Sequence, residues 1–232
     1  MDLDTLNWME NIINRLDIPL DSLPSIKPSM FNYGTNEEIL KNVPITAVLG
    51  DQQASLFGQN CITSGDVKNT YGTGCFALTN TGSEIVHSNN GLLSTVAYQK
   101  DGDKPQYALE GSVSIAGAAV QWLRDNLNII KESTEIERLA LDEKDNGDVY
   151  FVPAFSGLFS PHWDETARGV LVGLSRFSNK SHIARAVLES VAFQSNELLE
   201  SMEKDIGRQF DSVSVDGGMI VNNLLMQFQS DI

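Results

Sequence analysis

Positive charge is scarce in this chain. Its 232 residues include 16 lysines and arginines against 31 aspartates and glutamates, a formal net charge of −15. Nucleic acid and anionic membrane surfaces are bound through basic faces that neutralise phosphates, so neither is an expected partner. Cysteine is also sparse: Cys61 and Cys75 stand apart, with no Cys-x-x-Cys pair and no histidine companion. That argues against a zinc site and makes a reducing compartment the default. The histidines His87, His162 and His182 do not cluster at metal-ligand spacing, so no metal site is assigned. His182 reads as an exposed residue near a helix start. No apolar run is long enough to cross a bilayer, and the acidic start Met1-Asp2-Leu3-Asp4 lacks the basic residues and apolar core of a signal peptide. The expected placement is cytoplasmic, without direct membrane insertion. Neither GxxxxGK[ST] nor GxGxxG is present, which disfavours a P-loop or an ordinary dinucleotide fold.

What is present suits a globular protein of one large domain, or one and a half smaller ones, with 41% hydrophobic residues for a core. Residues 5–16 place Trp8, Met9, Ile12, Ile13 and Leu16 on one helical stripe, with Thr5 as its N-cap. Pro19, Pro24, Pro28 and Pro44, with Gly34, make the following stretch irregular. Residues 1–44 are therefore expected to stand apart from a main domain over 45–232. Short strands are expected at Ile45–Leu49, Asp66–Thr70, Phe76–Thr79, Leu92–Tyr98 and Tyr107–Glu110. Helices follow at about 113–128 and 134–142, then buried strands at Val149–Val152 and Gly169–Leu174. The longest helix runs from about Lys180 to Lys204, and a last unit reads as a strand at Ser212–Val215, a turn at Asp216-Gly217-Gly218 and a helix from Met219 to Ile232. This order implies an α/β fold with a mixed sheet and flanking helices. The final helix ends without a glycine or lysine cap, so both ends read as truncated.

Three segments carry candidate chemistry. The run Val48-Leu49-Gly50-Asp51-Gln52-Gln53 is expected to place a carboxylate at the C-terminal end of a buried strand, where ligands collect in open α/β sheets. Asp51 could act as general base on an alcohol with Gln52 bonding another hydroxyl, or it could simply cap a helix beginning at Gln52. The Tyr71-Gly72-Thr73-Gly74 turn is either a plain hairpin or an anion nest, in which successive N–H groups converge and the Thr73 hydroxyl adds a donor. Asp216-Gly217-Gly218 before a helix either permits tight packing or lets a nucleotide approach the helix start. Trp163 and Arg168 read as parts of an aromatic-packed loop, and Glu135, Glu137, Asp142 and Glu143 as a solvated helix face.

In combination these residues say more. Gly50-Asp51-Gln52-Gln53-Ala54, Lys68-Asn69-Thr70-Tyr71-Gly72-Thr73-Gly74-Cys75-Phe76, Tyr107-Ala108-Leu109-Glu110-Gly111, Gln121-Trp122-Leu123-Arg124-Asp125 and Val215-Asp216-Gly217-Gly218 occur in one order. Nearly everything from Leu6 to Ile232 closely resembles the glycerol-phosphorylating branch of the FGGY carbohydrate kinase family. Gly169–Leu174 with His182-Ile183 and Ala186–Glu189 resembles that family's second signature. The resemblance implies an actin-like ATPase architecture of two ribonuclease-H-like domains around a cleft. It also implies ATP and glycerol as substrates, Mg2+ on the phosphates, and a homo-oligomer at full length. Asp51 then matches the general base, Gln52 a glycerol ligand, and Phe76 the ring against which the glycerol carbons rest. Thr73 matches the contact to the transferring phosphate, while Gly117, Gln121, Gly218 and Asn222 match positions around the nucleotide. No side chain is assigned to Mg2+.

Members of that family have more chain before the counterpart of Leu6, including a phosphate loop and further glycerol contacts. The 232-residue chain is therefore expected to be weakly active or inactive alone. Alternatives are a kinase of another polyol or sugar such as xylulose, and a non-catalytic product that binds nucleotide or intact subunits. Glu37 and Glu38 stand where bacterial relatives carry a glycine-rich, arginine-containing loop for fructose 1,6-bisphosphate, so inhibition by that bisphosphate is not expected.

Overall fold

The computed structural model describes all of residues 1–232. The first 48 residues hold little regular structure: helix α1 (Glu10–Arg15), a 3-10 turn at Leu20–Ser22, and a ribbon of β1 (Thr35–Asn36) with β2 (Val43–Pro44). The helix expected over 5–16 is thus shortened, and Thr5 does not cap it. Asp2 instead accepts hydrogen bonds from the Asp4 and Thr5 N–H groups and the Thr5 hydroxyl. Leu6 then turns left-handed with φ of 54°. These local bonds compete with the helix, and a left-handed residue interrupts it.

The strand expected at Ile45–Leu49 does not join the main sheet. Phe31 and Tyr33 N–H groups donate to Thr46 and Ile45 carbonyls, and Val48 N–H donates to Ser29. This segment pairs with residues 29–34, and residues 41–48 are all exposed. Pro44 offers no N–H to a sheet, which favours an edge position.

Helix α2 (Asp51–Gly58) leads into four antiparallel-paired strands, β3 (Val67–Tyr71), β4 (Cys75–Gly82), β5 (Leu93–Tyr98) and β6 (Gln106–Val113), with β6 inserted between β4 and β5. Helices α3 (Gly117–Asp125) and α4 (Glu135–Leu141) follow. A separate ribbon pairs β7 (Tyr150–Val152) with β8 (Val170–Val172). It is not buried on both faces as expected: Phe151 points into the core, while Tyr150 and Val152 are exposed. Helix α5 (Lys180–Ile206) returns across this sheet, and β9 (Ser214–Asp216) pairs parallel to β3. The sheet order is β5-β6-β4-β3-β9, a mixed sheet as the sequence implied. The last segment is a 3-10 turn at Gly218–Val221 followed by α6 (Asn223–Asp231), so the final helix starts later than Met219.

Strand alternation sorts the sheet's two faces. Val67, Tyr71, Cys75 and Ala77 join the large core with Leu188, Val191, Leu198 and Met202 of α5. On the other face, Leu78 packs with Leu56 and Cys61 from α2 and the turn after it, and with Ala97 and Ala108. Each fully buried leucine or valine contributes roughly 1.5–3 kcal/mol, so α5 is the principal clamp on the sheet. Its start is fixed by a capping box between Asn179 and His182, and Gly207, with φ of 71°, ends it. His182 is only 1% exposed, contrary to the expectation of a surface histidine. No helix is long and apolar enough to cross a membrane.

Candidate active site

The β3–β4 hairpin is closed by Gly72, Thr73 and Gly74, and the backbone around this turn is fully specified. Gly72 N–H donates to Gly74 O at 2.9 Å, while the Thr73 carbonyl accepts from Ala116 at 2.9 Å and Ala118 at 3.0 Å. Gly117 N–H donates to Gly72 O at 3.0 Å. The start of α3 is therefore spent on holding the turn. Thr73 N–H, Gly74 N–H and the exposed Thr73 hydroxyl meet no acceptor in the protein. Two consecutive free N–H groups beside a free hydroxyl form a cradle for an anion. Close approach explains the glycines: a Cβ on Gly74 would lie 2.4 Å from Val113 O, and one on Gly117 would lie 2.6 Å from Gly72 O. Gly217 has φ of 96°, and a Cβ there would lie 2.4 Å from Tyr71 O.

A cleft of about 550 Å³ opens beside the turn. Gly72 and Thr73 form one end, and Gly117, Val120 and Gln121 of α3 form a wall. Ser133, Thr134, Ile136 and Glu137 from around the start of α4, with Gly218, Met219, Val221 and Asn222, close it. Asn222 caps α6 through Oδ1, which accepts from Leu225 N–H at 2.9 Å. Its Nδ2 has no acceptor in the protein. Glu137, expected on a solvated face, accepts the Leu224 N–H at 3.0 Å and ties α4 to α6.

Sheet register builds a second corner on the α2 face. Asp216, Thr70, Phe76 and Ser112 form one row across β9, β3, β4 and β6, and Lys68 lies in a neighbouring row with Leu78 and Glu110. Asp51 is the first residue of α2, with Gly50 in the N-cap position, so it is neither a cap of a helix beginning at Gln52 nor the end of a buried strand. Its carboxylate is exposed and accepts the Gln52 N–H at 2.8 Å. Lys68 is completely buried, and its Nζ donates to Gln52 Oε1, to Thr70 Oγ1 at 2.8 Å and to the Phe76 carbonyl at 3.1 Å. Asp216 accepts from Ser55 at 2.6 Å and from Gln59 at 3.2 Å.

Burial pulls the Lys68 ammonium down to about 8, against the opposing attraction of Asp216, Glu110 and Asp51. Burial pushes the Glu110 carboxyl up, Lys68 offsetting part of this and Asp51 adding to it. For Asp216, burial also disfavours the charge, but donors from Ser55, Thr70 and Gln59 and the field of Lys68 together leave its carboxyl below the ordinary range. Burial raises both Tyr71 and Cys75 to about 12, so neither supplies a nucleophile near neutral pH.

The residues singled out in the sequence thus fall into two adjoining groups. Thr73, Gly117, Gln121, Gly218 and Asn222 line one cleft. Gln52 and Phe76 meet through Lys68, whose charge also feels Asp51. The hairpin carrying Phe76 and Thr73 joins the groups. Lys68, Ser55 and Gln59 were not singled out; a lysine between Val67 and Tyr71 inside a buried hairpin strand was the available signal for the first. Trp163 and Arg168 do what a packed loop requires: Trp163 stacks on Phe159 and donates to Gly91 O at 2.7 Å, and Arg168 bonds the Glu165 and Ala167 carbonyls.

Antiparallel strands extended by a parallel one, with a glycine turn at the end of a cleft, define one half of an actin-like ATPase fold. Residues 67–232 match the C-terminal domain of the FGGY family of carbohydrate kinases, and the chain belongs to that family. It is 59% identical over 233 residues to the glycerol kinase of Brucella anthropi and 56% identical over 232 residues to that of Methylobacterium radiotolerans. Both matches take in the whole of this chain but only 47% and 46% of the relatives, so the chain spans about half their length. Among solved structures, Plasmodium falciparum glycerol kinase with ADP matches with a TM-score of 0.89 at 41% identity, covering 99% of this chain and 47% of that one. A ligand-bound xylulose kinase from Lactobacillus acidophilus shares the fold, with a TM-score of 0.84 at 23% identity over 100% of this chain and 48% of its own.

Proposed function

We propose that this chain forms the C-terminal-domain part of a kinase that transfers the γ-phosphoryl group of ATP to glycerol, giving sn-glycerol 3-phosphate and ADP. The observation that carries the reading is the Gly72–Gly74 turn. Gly72 and Thr73 of this turn line a cleft of nucleotide size, the Thr73 and Gly74 N–H groups are free of acceptors in the protein, and the same hairpin carries Phe76, whose carbonyl meets Gln52 through Lys68. Positioning and charge stabilisation dominate phosphoryl transfer, and such a turn offers both.

In this reading Asp51 takes the proton of the terminal glycerol hydroxyl as its oxygen attacks the γ-phosphorus. The bond from that phosphorus to the bridging oxygen breaks, and ADP leaves with the electron pair. Gln52 bonds a second hydroxyl, and the half-buried Phe76 ring rests against the carbon chain. Thr73 contacts the transferring phosphate, while Gly117, Gln121, Gly218 and Asn222 border the nucleotide. Residues 1–44 belong with the preceding domain and 45–232 with this one.

The chain has no group of three or more carboxylate, histidine or cysteine side chains able to hold a metal ion. Mg2+ is commonly held by one or two carboxylates, substrate phosphates and water. Its place here depends on the nucleotide phosphates.

The test is a panel of glycerol, xylulose, gluconate and erythritol with ATP, using the full native polypeptide that carries this sequence. Glycerol should give the highest kcat/KM. Preference for a sugar over glycerol would overturn the assignment of substrate.

A further inference from the structure

One buried cation has no part in the chemistry above. Lys68 is completely buried and forms no salt bridge; its ammonium donates to three uncharged acceptors, Gln52 Oε1, Thr70 Oγ1 and the Phe76 carbonyl. Two of those acceptors belong to the residues placed against glycerol. An ammonium has donors only, so the Gln52 atom facing it must be the amide oxygen. The amide nitrogen is thereby turned away from Lys68, and Gln52 Nε2 meets no acceptor within the protein.

We propose that Lys68 is a positioning residue for the acceptor substrate: it fixes the Gln52 amide so that its N–H group donates to a substrate hydroxyl oxygen, and it holds the backbone of Phe76 beside it. The inference rests on the glycerol reading and deepens it. A locked amide presents a hydrogen-bond donor, so the position suits a neutral hydroxyl and disfavours an ammonium group in the same place. With a neutral side chain in place of the lysine, the amide can rotate and present its acceptor oxygen instead.

The charges around Lys68 define how the lock responds to pH. Asp51 at the start of α2, Cys61 after that helix, Glu110 on β6 and Asp216 on β9 face it, while Gln52, Thr70 and Phe76 contribute neutral acceptors. Burial outweighs the carboxylates and brings Lys68 down to about 8. Below that pH the ammonium enforces the amide orientation. Above it the free amine has a lone pair that can accept the Gln52 N–H, and the lock is released.

The test is calorimetric titration of glycerol and, separately, an ATP analogue into the full native polypeptide from pH 6.5 to 9.5, for wild type and Lys68→Met. A single hydrogen bond of ordinary strength corresponds to up to about tenfold in affinity. Wild-type glycerol Kd should rise severalfold above pH 8 while the nucleotide Kd stays level. Lys68→Met should show the raised glycerol Kd at every pH, with no alkaline rise. If that variant fails to fold, the wild-type profile still decides. A wild-type glycerol Kd that is flat across pH 8, or a folded Lys68→Met that binds glycerol as wild type does, overturns the inference and leaves the substrate assignment intact. A wild-type protein that binds or phosphorylates no glycerol overturns both.

Discussion

Ser55 donates a hydrogen bond to Asp216 at 2.6 Å, tying the helix that begins at Asp51 to the strand that runs into Gly217 and Gly218. One carboxylate therefore links the Asp51–Gln52 corner to the cleft beside the Gly72–Gly74 turn. Gln59 adds a second donor from the end of the same helix, and Lys68 supplies compensating charge from β3.

Replacing Asp216 by alanine should leave Ser55 and Gln59 without their acceptor and Lys68 with less compensating charge. The expected cost is about 1–3 kcal/mol, seen as a lower urea midpoint. The Asp216 carboxyl is held below its ordinary range, so its contribution is present above pH 4 or so and fades as acid protonates it. Between about pH 5 and pH 3 the wild type should lose stability more steeply than Asp216→Ala, as followed by urea titration.

Gly117→Ala should act on the turn rather than on the acceptor corner. A Cβ at that position would fall 2.6 Å from Gly72 O, so either the turn or the start of α3 must shift. Misplacement of about 1 Å can cost on the order of a hundredfold in rate. Steady-state kinetics should show a lower kcat and a higher KM for ATP, with the glycerol Kd changed little.

Asn222→Asp separates capping from ligand contact. The aspartate can still accept the Leu225 N–H, so the melting temperature should stay near wild type. It removes the free Nδ2 donor and adds a negative charge at the cleft, so affinity for an ATP analogue should fall by tenfold or more. Unchanged nucleotide affinity would place the nucleotide elsewhere.

The 232-residue chain alone carries one wall of the proposed site, and its curated relatives are about twice as long. It should form glycerol 3-phosphate at a small fraction of the rate of a full-length relative, measured by coupled assay. Robust Asp51-dependent turnover by this chain alone would contradict the need for an opposing wall.

Much of the sheet was legible because its signals are local. The β3–β4 hairpin sets short runs with β-branched and aromatic residues around a glycine turn, and α5 repeats its apolar residues along 27 positions. The failures came where distant partners decide the outcome. Ile45–Leu49 has strand composition, yet its backbone bonds go to residues 29–34. His182 has a surface-like setting in sequence, but its capping box and the packing around it bury it. Thr73, Gly117, Gln121, Gly218 and Asn222 were placed by motif, and they do line one cleft. Lys68 is not legible in the sequence because its setting depends on the Gln52 amide, the Thr70 hydroxyl and the Phe76 carbonyl meeting across two strands and a helix.

Asp51→Asn in the full native polypeptide, assayed for ATP-dependent glycerol 3-phosphate formation, is the most direct measurement. The change keeps the shape of the side chain and removes its capacity as a base, whose loss typically costs 10²–10⁴-fold. kcat should fall within that range while the affinities for glycerol and ATP change by less than about tenfold. An Asp51→Asn enzyme with wild-type kcat would contradict the proposal that this carboxylate takes the proton from glycerol.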